Sequence, residues 1–168
     1  TAYLRAHHRA NGPVAGTYRP FADEVEPGLD PARIAFVAWQ KARVGLTRQA
    51  AQDLRRLERE ASVPVLAFGV LCRLELGDVG RKARADALRL VESIDAFGRF
   101  DLGPDAQDAD FDYAPGQALL ALEAALRAGL VTDPYGVVPR ALAWSLRRFR
   151  LNHSHGAGPW LMQALVAG

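Results

Sequence analysis

Cysteine is almost absent: Cys72 is the single thiol in 168 residues. That excludes an internal disulfide framework and any zinc site built on paired cysteines. Long apolar runs are missing too. No stretch approaches the roughly 18 uninterrupted apolar residues of a membrane span, and the mean hydropathy is −0.07. Nor is there an excess of one charge, since 21 basic residues face 19 acidic ones for a net +2. The pI near 9.0 therefore carries little, because a nucleic-acid binder gathers its cations into a stripe or cluster. The nearest approach, Arg140, Arg147, Arg148 and Arg150, reads as the polar face of an exposed helix. No nucleic acid is expected as a partner. Period-2 alternation never lasts more than a few residues, so strands are scarce. The sequence has no Gly-x-Ser-x-Gly elbow, no P-loop, no Gly-x-Gly-x-x-Gly and no His-Glu-x-x-His. It names no cofactor and no metal. The first residue is Thr1 rather than Met, without a leader pattern, so a processed product or a fragment is expected and the compartment stays open.

What is present is helix. Apolar residues are 49% and charged ones 24%, an ordinary globular balance. Gly and Pro punctuation divides the chain into eight helix candidates, near 1–10, 31–46, 47–61, 63–77, 80–97, 114–129, 135–151 and 157–167. Asp30 before Pro31 is an N-cap with Pro at the first helical position. Thr47 opens the next helix, and Pro159 sits in the first turn of the last one. Gly12, Gly77, Gly98 and Gly129 mark stops where a left-handed C-cap fits. The fold class expected is all-α.

Two kinds of helix alternate. Segments 47–61, 80–97 and 135–151 are amphipathic and want one face in water. Segments 63–76, 116–128 and 159–167 are apolar nearly all round and must be covered on most sides, with 32–44 intermediate. Such alternation suits an inner layer of apolar helices under an outer layer of amphipathic ones, as in an open α-solenoid or a closed α/α-toroid. Inner segments begin near 31, 63, 114 and 157, too unevenly for a regular helical-repeat array. If the helices alternate in direction, loops 11–30, 98–113 and 152–158 all fall at one end. Short turns near 46 and 77–80 close the other, the layout of a scaffold with a working face.

The string Tyr113-Ala-Pro-Gly-Gln-Ala-Leu-Leu-Ala-Leu122 resembles the Tyr-x-Pro-Gly-Glu-Ala-x-x-Ala-Leu opening of inner helices in bacterial α/α-toroid proteins. Gly158-Pro-Trp-Leu-Met-Gln-Ala-Leu165 is similar, with a Trp at the barrel mouth. Tyr3-Leu-Arg-Ala-His-His-Arg-Ala-Asn-Gly12 resembles the corner that precedes such a loop. The superfamily includes six-hairpin glycoside hydrolases, polysaccharide lyases, sugar epimerases and terpene cyclases, so the resemblance implies an architecture rather than one reaction. Residues 1–168 would form one toroid-like domain. Eight helices make four hairpins where a closed toroid usually has about six, which implies a fragment, an open array, or a partner that completes it.

The acidic run Asp105, Asp108, Asp110, Asp112 is the main chemical feature. Its spacing starts like an EF-hand, but Tyr113 replaces the required Gly and Leu119 the final Glu, so an EF-hand is rejected. A different calcium site, favourable charges before a helix N-terminus, and carboxylates that move protons or bind sugar hydroxyls remain open. His153 and His155 lie in a Gly-rich loop that His7 and His8 could approach. The expected reading is a carbohydrate- or polymer-active cleft with Asp110, Asp112, His153 and His155 as catalytic candidates. Tyr18, Asp23, Tyr113, Gln117, Trp160 and Gln163 would bind substrate. The alternative is a non-catalytic helical subunit, because an incomplete ring leaves Ile34, Phe36, Val37, Leu161, Met162 and Leu165 to be covered by a protein partner or missing hairpins.

Overall fold

The computed structural model describes residues 17–19, 24–26, 30–104, 106–133, 135–153 and 156–167, with side chains from Asp30 onward except that of Ala167. The helix candidate 1–10, with Gly12, His7 and His8, lies outside them, as does Asp105. Seven α-helices occur among the described residues. They are α1 (Pro31–Arg43), α2 (Thr47–Arg56), α3 (Val63–Glu75), α4 (Arg81–Glu92), α5 (Ala114–Arg127), α6 (Val137–Asn152) and α7 (Ala157–Ala167). The protein is all-α apart from two three-residue strands, Thr17–Arg19 and Glu24–Glu26, paired antiparallel within the segment read as loop. In their register Thr17 stands opposite Glu26 and Arg19 opposite Glu24.

Local chemistry sets the helix ends. Asp30 accepts the Ala32 N–H at 2.9 Å and caps α1 as expected. Pro31, Pro64, Pro115 and Pro159 each sit in the first turn of α1, α3, α5 and α7, where a missing N–H costs nothing. These same helices α1, α3 and α5 end alike. Gly45, Gly77 and Gly129 take left-handed backbone, and the next N–H returns to the carbonyls of Lys41, Arg73 and Ala125 at 2.8–2.9 Å, which is a Schellman motif. Two expected ends move. Helix α2 stops at Arg56 rather than 61, closed by the Leu57 N–H on the Leu54 carbonyl. Helix α4 stops at Glu92 rather than 97, because Asp95 gathers the N–H groups of Phe97 and Arg99 and folds 94–100 into a tight turn. Gly98 is left-handed there, in a turn rather than at a helix end.

Packing follows the alternation. Helices α1, α3, α5 and α7 pack one on the next, and α2, α4 and α6 each pack on the helix that precedes them. The core centres on α3, buried from Val65 to Cys72, and on α5, where Ala118, Leu119, Ala121, Leu122 and Ala125 are nearly inaccessible. Helix α7 departs from expectation: Leu161 and Ala164 are buried, but Met162, Leu165 and Val166 are exposed. It buries one side against α5 and leaves the other uncovered among the described residues.

Charge pairs bolt the first two hairpins together. Lys41 of α1 meets Asp53 of α2 at 2.7 Å, with both side chains buried, and Arg56 adds a contact at 3.3 Å. Arg73, at the same position of α3, lies 3.7 Å from Asp86 of α4, which also pairs with Lys82. In the third hairpin Ala125 takes the cation's place, and the buried residues of α6 are Val138, Ala141 and Ser145. Both halves of the pair are replaced together, as the cost of one unpaired buried charge requires.

Cys72 is fully buried in α3, and desolvation pushes its thiol from 9.0 up to about 12, against a weaker pull from Arg73. The unfolded chain releases this proton near 9.0 while the folded chain keeps it to about 12. Cys72 therefore contributes full stability below pH 9 and loses it above, by about 1.4 kcal/mol per pH unit. Comparing wild type with Cys72→Ala in urea from pH 8 to 11 should show a steeper alkaline loss in wild type. Equal slopes would contradict the burial argument.

Candidate functional site

Because α1, α3, α5 and α7 run parallel, their first turns gather at one end, and between them opens a cavity of about 610 Å³. Helix α1 supplies Asp30, Arg33 and Phe36; α3 supplies Ser62, Pro64 and Phe68; α5 supplies Tyr113 and Gln117; α7 supplies Trp160. Leu102 and Asp110 come from the long loop between α4 and α5.

The floor is aromatic. Phe68 lies 5.2 Å from Phe36 and 5.6 Å from Trp160 between ring centroids, both edge-on, while Trp39 stacks on Phe68 at 5.7 Å. Phe36 and Trp160 are 6.3 Å apart, so the row of four helices curves until its first and last members share one cluster. Edge-to-face rings at these distances favour each other by about 0.5–1.5 kcal/mol per pair. Tyr113 stands at the rim, half exposed. Its ring lies on the backbone of Gly156, where a Cβ would come within 2.1 Å of the ring, so only glycine permits this contact.

Polar groups ring the floor. Asp30 uses Oδ1 on the Ala32 N–H, and Asp110 uses Oδ2 on the Gln107 N–H at 2.8 Å. Each carboxylate keeps its other oxygen without a partner among the described residues. Gln117 is half-buried and makes no side-chain hydrogen bond among them. The four helix N-termini add partial positive charge, so the wall offers both donors and acceptors above an apolar base.

The acidic loop divides by role. Arg148 of α6 donates to the Asp108 carbonyl at 3.0 Å, to Asp108 Oδ1 at 3.1 Å and to Asp112 Oδ1 at 3.4 Å. Phe111 is flanked by Arg99 and Arg148, at 4.6 and 5.6 Å from its centroid. Asp112 thus faces the outer helix and Asp110 the cavity. No group of three or more His, Cys, Asp or Glu among the described residues could hold a metal ion.

Of the residues expected in the site, the cavity brings together Asp110, Tyr113, Gln117 and Trp160. It does not include Asp112, His153 or Gln163. His153 is the exposed left-handed cap of α6, 6.1 Å from the Phe149 ring, and Gln163 is exposed on α7. Tyr18 is the middle residue of the first strand, and Asp23 and His155 lie outside the described residues. Sequence reasoning missed Asp30, Arg33, Ser62, Phe68 and Leu102 as site residues, and it placed Phe36 on a face for a partner or missing hairpins to cover. The available signal was the Pro in the first turn of each inner helix, which marks the same end four times.

No family model, curated protein or solved structure matches this chain.

Proposed function

We propose that this chain is all or part of an α/α-toroid protein that binds a carbohydrate, with its apolar ring face on Phe68 and Trp160. The single observation that carries this reading is the cavity itself, an aromatic floor under a rim of Asp30, Asp110, Gln117 and Arg33 at the first turns of four inner helices. Sugar rings present exactly such a mixture of C–H faces and hydroxyl edges; the curvature that joins α1 to α7 supports the toroid. Proton transfer in this reading falls to Asp110, with Asp30 the second carboxylate that glycoside chemistry requires. Asp112 holds the loop on Arg148 and stays outside the chemistry.

Titration with glucose, N-acetylglucosamine and their 1,4-linked oligomers tests it by calorimetry and thermal midpoint. At least one series should bind, and Trp160→Leu should weaken it about tenfold or more, the equivalent of about 1.4 kcal/mol of lost ring contact. If no glycan shifts the midpoint and Asp110→Asn changes nothing, the reading is wrong.

A second reading, a non-catalytic subunit of an assembly, is favoured by the exposed Met162, Leu165 and Val166 on the free side of α7. Exposed apolar faces of that kind mark contact surfaces. A monomeric mass in solution with no binding of an apolar dye would remove it.

A further inference from the structure

The cavity does not end at Leu102. A second hollow of about 440 Å³ adjoins it, and Ser62 and Leu102 belong to the walls of both. Each hollow alone falls within the roughly 300–1,000 Å³ range of small-ligand sites. Their chemistry differs. The first is floored by rings; the second has none and is edged by Arg89, Glu92 and Asp101. Ser93 is occupied by the Leu90 carbonyl at 2.7 Å, and Asp101 Oδ1 by the Gly103 N–H at 2.9 Å. The Arg89 guanidinium, the Glu92 carboxylate and the second oxygen of Asp101 have no side-chain partner among the described residues. Arg89 and Glu92 are exposed on the last turn of α4, so neither is needed to hold the fold.

We infer that the two hollows form one cleft for a linear chain of at least two linked sugar rings. One ring lies on the aromatic floor, and the next passes over the Ser62–Leu102 ridge. Its hydroxyls then meet Arg89, Glu92 and Asp101. The inference rests on the carbohydrate reading of the first hollow and adds its length requirement. A ligand confined to the first hollow leaves the second set of donors and acceptors unused, so affinity must grow with chain length until both are filled.

Calorimetric titration of glucose, N-acetylglucosamine and their 1,4-linked oligomers of up to six units tests this. In the series that binds, the oligomer should bind at least tenfold more tightly than the monosaccharide, with a plateau once both hollows are filled. In the double variant Arg89→Ala, Glu92→Gln, longer chains should bind no more tightly than the monosaccharide. Binding that is independent of length overturns the extended cleft and leaves the carbohydrate reading standing. So does a length increment that survives the double variant. No binding at any length overturns both.

Discussion

Asp53→Ala is expected to lower folding stability by about 3–5 kcal/mol, because it strands Lys41 as a buried charge without its partner. The side chains of Lys41 and Asp53 are 7% and 2% exposed, so water cannot take over the lost contact at 2.7 Å. Arg56 cannot substitute, being itself a cation drawn to the same carboxylate. A loss of that size is a large share of the about 5–15 kcal/mol that keeps a domain folded. With a urea slope of about 2 kcal/mol/M, the midpoint should fall by about 2 M. The paired replacement Lys41→Met with Asp53→Leu should recover most of the loss, since two apolar side chains of similar volume carry no desolvation cost. Asp86→Ala should cost less, because Lys82 is 39% exposed and keeps its hydration when released, while Arg73 still has Asp78 at 3.2 Å. An unchanged midpoint for Asp53→Ala, or a double variant as unstable as the single one, would show that this pair does not join α1 to α2.

The pair also marks where sequence reasoning stops. Helix existence was legible because each helix carries its own signals: Pro31, Pro64, Pro115 and Pro159 in first turns, Gly77 and Gly129 past the ends of α3 and α5. The early ends of α2 and α4 were not, since the charges of 55–60 and the apolar spacing of 90–97 suit a longer helix equally well. The Asp95 side chain, which draws two backbone N–H groups into a turn, has no periodicity to betray it. Asp53 falls within the amphipathic segment 47–61 like any of its other charges, because a buried cation on a neighbouring helix leaves no local trace. The site shows the same division. Tyr113, Gln117 and Trp160 were legible as openings of inner helices. Asp110 and Asp112 were indistinguishable, as two carboxylates in one loop; Arg148, far along the chain, decides which of them faces the cavity.

Gly116 offers a prediction whose sign is diagnostic. Glycine inside a helix is ordinarily a weakness, and replacing it by Ala is worth about 0.5–1 kcal/mol in favour of the variant. At Gly116 in α5 a Cβ would lie 2.7 Å from the Cβ of Trp160 in α7. Both atoms are fixed to their backbones, so no rotamer relieves the overlap, and the two helices must move apart by about 1 Å to reach a normal carbon contact. Overpacking of this kind costs about 1–3 kcal/mol, occasionally more. Gly116→Ala should therefore be less stable than wild type despite its better helix propensity, and Gly116→Val, with two further methyl groups at the contact, should lose about 3 kcal/mol. Separation of α5 and α7 also draws Trp160 away from Phe36 and Phe68, so the aromatic floor opens, and the glycan binding proposed for it should weaken at least tenfold in both variants. Urea midpoints in the order wild type, Ala, Val, together with weakened binding, are the expected result. A midpoint for Gly116→Ala above that of wild type would mean that α5 and α7 do not approach this closely at Trp160.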